Sequence, residues 1–185
     1  FAYTIVCYFV IFASLGFEQY AQRAIAQVKK DREEQSRVFW QIFIVRLIPV
    51  SISLGVLFIL YYLNVFGEYS SLVLIFSILI GGSAFDINFY FHGKENFFLV
   101  MIFNLIIRLG FLGCVFTFIK SRNDLTLYIL LYSLMVCGSY LAMWIALPLN
   151  LRRVRLKTLN FKKHINSSLA LFLPVAAVAI YAILD

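Results

Sequence analysis

The 185 residues are 63% hydrophobic, 18% aromatic and only 14% charged, with a net charge of +7 and a mean hydropathy of +0.91. A soluble domain carries about a quarter charged residues, so this composition excludes an ordinary soluble enzyme or binding domain and predicts a membrane protein. The positive balance does not call for nucleic acid, because the basic residues cluster beside apolar runs, where they set topology and meet anionic membrane lipid.

Six apolar runs follow one another, at residues 1–17, 42–65, 72–91, 98–119, 125–148 and 169–184. Backbone polar groups cannot be left bare in lipid, and the runs show none of the alternation of a membrane barrel, so each is predicted to be a helix. The fold class is therefore all-α, a polytopic transmembrane helix bundle. The chain opens inside an apolar run, without the charged start and small-residue cleavage site of a secretory leader, and reads as a piece of a longer protein.

The first connector, residues 18–40, has no Gly or Pro, and Ala24, Ile25 and Val28 recur at helical spacing beside mixed charge. It is expected to be an amphipathic helix at the membrane interface. This connector, the corner at Lys94 and the stretch 150–168 hold twelve basic residues, against two (Lys120 and Arg122) in the alternate connectors. That asymmetry places the basic connectors in the cytoplasm and residue 1 outside. A further span before Phe1 would return the N-terminus to the cytoplasm. Arg23, Arg152 and Arg153 in these connectors are candidate contacts for lipid phosphate, against the simpler reading of charged connectors that set orientation.

The polar residues inside the spans carry the functional expectations. Asp86 lies in the third run, one to two turns before a polar corner; it either marks a functional site or pins two helices through a hydrogen bond. Gly81, Gly82, Ser83 and Ala84 beside it predict close helix packing. Arg46 in the second run shares a face with Pro49 and Ser53, and either lines a lumen or snorkels to the interface. Arg108 sits near the middle of the fourth run with Asn104 one turn before it, where an arginine fork suits phosphate or carboxylate. Its alternative is a buried pair with Asp86. Tyr128, Tyr132 and Ser139 form a polar stripe in the fifth run, suited to sugar stacking or to helix packing. In the sixth run Pro174, Val178, Tyr181 and Asp185 share a stripe that a bending transporter helix would show. Asp86 and Asp185 are the candidates for ion coupling.

Soluble-enzyme chemistry finds no support. Cys7, Cys114 and Cys137 all fall in apolar runs and read as small hydrophobes. His92 and His164 lack partners at metal-ligand spacing, and there is no phosphate-cradling glycine loop or nucleophile elbow. Neither a cofactor nor a metal is expected.

Residues 85–97, FDINFYFHGKENF, resemble the segment FDISWFFQGLEDF of bacterial Wzx-type polysaccharide flippases, members of the multidrug/oligosaccharidyl-lipid/polysaccharide exporter superfamily. Leu15, Gly16, Phe17 and Tyr20, followed by Gln22 to Ala26, are similar to that family's LG…YG.REIA segment. Residues 123–130 are similar to NDLILYIL, and 181–185 to YTVLDK. Ala24, Phe89 and His92 depart from the pattern, standing where the family has Glu, Trp and Gln. The resemblance implies helices two to seven of a two-lobed exporter of twelve or more. Residues 1–168 would supply five spans of the N-terminal lobe, and 169–185 the start of the next lobe's first helix. It further implies a flippase of the bacterial cytoplasmic membrane that moves undecaprenyl-pyrophosphate-linked oligosaccharide to the outer leaflet by alternating access through a cationic cavity. Its partners would be that lipid-linked oligosaccharide, membrane lipid and other polysaccharide-assembly proteins. Arg23, Asp86 and Asp185 fall on positions of the family's motifs.

Three other readings stay open. A drug or cation exporter of the same superfamily would prefer an acidic cavity. A membrane polymerase or ligase would place its chemistry in a long external loop, whereas both outer connectors here are short. A purely structural membrane module would have to bear the cost of its intramembrane charges.

Overall fold

The computed structural model describes residues 2–14, 16–121, 124–148 and 151. The sixth apolar run, most of the last basic connector with Arg152 and Arg153, and Asp185 lie outside the described residues. Among the described residues the chain is helical throughout: α1 (Ala2–Ser14), α2 (Phe17–Gln27), α3 (Arg32–Tyr62), α4 (Ser70–Ser83), α5 (Asn88–Gly93), α6 (Phe97–Phe118) and α7 (Leu125–Ile145), with one 3-10 turn at Gly67–Tyr69. Five stretches among the described residues are long and apolar enough to cross a membrane: Ala2–Gln27, Arg32–Tyr62, Gly67–Gly93, Phe97–Phe118 and Leu125–Ile145. The all-α transmembrane bundle read from composition is the architecture found.

Two expectations about continuity change. The first connector is not one interfacial helix. Gly16, at φ 68°, ends α1 and starts α2, a left-handed backbone that glycine adopts without steric cost. A second break follows, because the Asp31 carboxylate accepts from the amides of Glu33 (2.9 Å) and Glu34 (3.2 Å). An Asp at this position satisfies donors that a helix start leaves orphaned, so the chain restarts as α3. The amphipathic character survives in α2, whose buried side chains Phe17, Ala21 and Ile25 recur every fourth residue and pack against α5 and α3. α3 then runs 31 residues through Pro49, roughly 46 Å at the rise of an α-helix, which is longer than the hydrocarbon is thick.

The second change concerns residues 72–91, expected as a single helix. They are interrupted at residues 84–87, so that α4 and the short α5 are two pieces of one discontinuous span. The interruption also separates two apolar cores. One is built from Phe17, Ile25, Phe39, Ile42, Phe89 and Met143 with their neighbours, at the end that carries the basic connectors. The other is built from Val6, Ala13, Val50, Leu57, Val73 and Ile80. Stacked rings of Phe39, Phe43 and Phe89, with Trp40, Tyr90 and Trp144 set edge-on or tilted among them, make the first core an aromatic one.

α4 lies between α1 and α7, while α6 leans on α7 and α5 at the edge. Of the 22 residues of α6 only Val100 is buried, so one broad apolar flank of the helix faces outward. Packing elsewhere is tight. A Cβ on Gly82 would stand 3.2 Å from Cys137 of α7, and a Cβ on Gly93 only 2.7 Å from the Gln22 carbonyl oxygen of α2. Gly81, by contrast, has open space where a side chain would go.

Gly93→Ala should therefore force α5 off α2, with a loss of about 1–3 kcal/mol read as a lower thermal midpoint of the solubilised protein. Gly81→Ala is expected to leave the midpoint unchanged or raised, because it meets no neighbour and removes a flexible residue from a helix.

Candidate functional site

A helix broken at membrane depth frees backbone carbonyls that lipid cannot satisfy. Here two side chains from other helices take them. The Arg46 Nη1 of α3 donates to the Asp86 carbonyl oxygen at 2.7 Å, and the Trp144 indole of α7 donates to the Phe85 carbonyl oxygen at 2.7 Å. The same guanidinium reaches the Asp86 carboxylate through Nη2 at 3.3 Å, while the other carboxylate oxygen accepts from the Asn88 amide at 3.0 Å and so opens α5. Arg46 and Asp86 are 4% and 7% exposed, so this is a buried ion pair held by backbone contacts on both sides.

Asp86 thus ties two helices together, one of the two readings its position left open. Arg46 neither snorkels nor lines an open lumen, because its fork is folded onto the break. Asp86 finds its partner in Arg46, not in Arg108. The third guanidinium nitrogen, Arg46 Nε, is buried without a partner among the described residues. Glu18, at the start of α2, lies within electrostatic reach of Asp86, Arg46 and His92. Tyr140 of α7 lies within reach of Asp86, Arg46 and Glu18. Sequence reasoning passed over both: Glu18 reads as the first residue of a charged connector, and Tyr140 as one aromatic among many.

A second arrangement surrounds Arg108. A hollow of about 920 Å³ opens between α6 and α7, lined by Arg108, Asn104, Asn88, Ser139, Tyr132 and Tyr140 among apolar neighbours. Arg108 is the twelfth of the 22 residues of α6, is exposed, and has no ion pair among the described residues. Asn104 Nδ2 is spent on the Val100 carbonyl at 2.9 Å and Ser139 Oγ on the Val136 carbonyl at 2.7 Å. Asn88 Oδ1 is buried with no donor, an unmet acceptor in the wall of the hollow that the sequence did not single out. The arrangement offers a full positive charge and hydrogen-bonding groups in an otherwise apolar trough.

The tyrosine stripe of α7 falls at the other end of the bundle. Tyr128 and Tyr132 stack at 6.5 Å between ring centres, and Phe111 of α6 packs on both. Tyr132 also meets the Tyr3 hydroxyl at 3.4 Å. Tyr3, Tyr128 and Tyr132, together with Tyr69, Leu72 and Phe76, line an apolar hollow of about 490 Å³. Tyr132 is thus shared between this hollow and the arginine-lined one. Arg23 lies apart from both, in a polar pocket between α2 and α5.

The family described as "Polysaccharide biosynthesis protein" matches residues 1–185. The chain is similar to a protein of Escherichia coli (strain K12) described as "Putative O-antigen transporter", at 22% identity over 184 residues, covering 95% of this chain and 43% of that protein. The chain therefore spans less than half the length of that relative. No solved structure matches it.

Removing one member of a buried ion pair leaves the other uncompensated, at a cost of about 3–5 kcal/mol. Arg46→Ala is accordingly expected to lower the thermal midpoint of the solubilised protein sharply and to reduce its abundance in the membrane. Arg46→Lys should recover only part of the loss, because a single ammonium cannot bridge the Asp86 carbonyl and carboxylate as the fork does.

Proposed function

The chain belongs to the polysaccharide biosynthesis protein family, and from that premise we propose that it forms part of a membrane transporter that flips a lipid-linked oligosaccharide from one leaflet to the other. The observation that carries the reading is Arg108, unpaired at the middle of a span and facing a hollow between α6 and α7. An arginine at the centre of a span costs about 2.5–3.5 kcal/mol to insert, and more where no water or partner reaches it. Its retention there is accounted for by a wet cavity with an anionic visitor.

A lipid-linked oligosaccharide of the diphosphate type presents that anion. Its phosphates lose their hydration on the way across, and a guanidinium fork replaces it with charge-assisted hydrogen bonds. Asn88 Oδ1, which lacks a donor, supplies an acceptor for a sugar hydroxyl, and the Tyr132 ring supplies a stacking face. The lipid tail stays in hydrocarbon along the bare flank of α6, whose exposed Phe98, Ile106 and Phe116 suit it. The remainder of a longer protein, of which the O-antigen relative is an example by its length, would close the hollow on its open side. Alternating access follows from the two sides opening in turn. In this reading Arg46 and Asp86 serve as the pin that keeps the broken span in place, and the Asp86 carboxylate becomes available to a coupling ion only when Arg46 lets go. The reaction is transport, with no bond made or broken and no cofactor.

In the full-length protein, Arg108→Ala should reduce surface polysaccharide in a strain lacking the native gene by at least about tenfold, the factor carried by one lost charged hydrogen bond. The amount of transporter in the membrane should stay unchanged, since Arg108 touches no buried partner. Normal polysaccharide in that variant would overturn the reading. Wild-type polysaccharide after deletion of the gene, together with new sensitivity to a cationic drug, would favour a drug exporter instead.

A further inference from the structure

The pocket between α2 and α5 lies outside the machinery assigned above. It encloses about 530 Å³ at the end of the bundle that carries the basic connectors, and Gln19, Gln22 and Arg23 of α2, His92 of α5, Glu95 of the following corner and Phe97 of α6 line it. Its shape is set by packing that admits no side chain at Gly93, where the α5 backbone lies against the Gln22 carbonyl. The Phe97 ring lies 5.5 Å from the His92 ring and backs the pocket with apolar surface.

The charges around this pocket are not evenly spent. Glu95, its one lining carboxylate, is tied to Lys29 at 2.7 Å. That hydrogen bond and the ammonium charge hold the Glu95 carboxyl below its ordinary range, so it faces Lys29 as a carboxylate at neutral pH. Lys94 rests over the Tyr90 ring, 5.6 Å from its centre. Arg23 is left with no ion pair among the described residues, next to two primary amides and an imidazole that can all donate hydrogen bonds. A fork of five donors with neutral donors beside it, and the one lining carboxylate already paired, is a donor set whose chemistry suits a phosphate group.

We propose that the α2–α5 pocket is a second anion site, separate from the Arg108 hollow, that takes a phosphate group at the membrane surface through Arg23, His92 and the amides of Gln19 and Gln22. The phosphate comes either from the headgroup of an anionic lipid or from a soluble phosphate, and the chemistry of recognition is the same for both. The Lys29–Glu95 pair holds the competing carboxylate away from Arg23. This site stands on the pocket alone and does not depend on the transport reading.

The test is binding to the purified full-length protein carrying Arg108→Ala, so that the other cationic hollow is silent. Short-chain phosphatidylglycerol and inorganic pyrophosphate are titrated separately. Arg23→Ala should weaken binding at least about tenfold, whereas Arg37→Ala, a loss of the same charge from an arginine near Glu33 on α3, should leave it within about twofold. Lys29→Met should also weaken binding by releasing Glu95 toward Arg23, and adding Glu95→Gln should restore it. Binding of the lipid alone identifies a membrane headgroup as the source, and binding of pyrophosphate as well shows that a soluble phosphate suffices. Equal losses for Arg23→Ala and Arg37→Ala would mean diffuse attraction to a basic surface and would overturn the site, as would failure of the unsubstituted pocket to bind either probe. An unchanged thermal midpoint in Arg23→Ala shows that the exposed residue acts on the ligand and not on folding.

Discussion

One guanidinium holds the centre of this bundle together. Arg46 crosses from α3 to the point where the fourth and fifth helices part, and there satisfies a main-chain carbonyl and a carboxylate with two arms of the same fork. Without it, an interrupted helix inside a bilayer would expose backbone oxygen to hydrocarbon, a cost of several kcal/mol for each group left bare. Trp144 takes the neighbouring carbonyl, and the Asp86 side chain turns back to start the next helical turn. Three helices are thus tied to one short stretch of irregular chain. The two apolar cores lie on either side of it, so the polar layer acts as the seam between them.

The seam has a counterpart at the bundle's edge. Charges in the seam are paired and buried, whereas the charge on α6 is unpaired and faces a trough. Buried pairs contribute little to net stability, because desolvation offsets much of their attraction, yet they penalise any arrangement that separates them. An unpaired cation in the same bilayer does the reverse, since it stays costly until something anionic arrives. The molecule thus sets one arginine, buried, against its own backbone and leaves another, exposed, on a trough between helices.

Much of this was visible before any coordinates. The apolar runs, their helical character and the segment around Asp86 could be read directly, because lipid imposes one solution on a long hydrophobic run. The interruption of the third run was not visible. Ser83, Ala84 and Phe85 carry no proline, and the glycines before them read equally well as packing positions. What opens the helix is a tertiary interaction: Arg46 lies 40 residues away in sequence, and neither partner announces the other. For the same reason the sequence offered Arg108 as a partner for Asp86, both being deep charges of opposite sign. Asn88 escaped notice because an asparagine after an aspartate reads as a helix start and not as the wall of a hollow. Arg23 was visible as a basic residue near the interface, but its lack of a partner depends on Lys29 having taken Glu95.

The two tryptophans of the chain, Trp40 and Trp144, sit 6.4 Å apart in the same aromatic core, and one of them is bonded to the interrupted segment itself. Indole emission shifts with the polarity and hydrogen bonding of its ring nitrogen. The chain therefore carries a native fluorophore bonded to its interrupted span, and any rearrangement that re-pairs the Phe85 carbonyl should be seen as a change of colour without an added label.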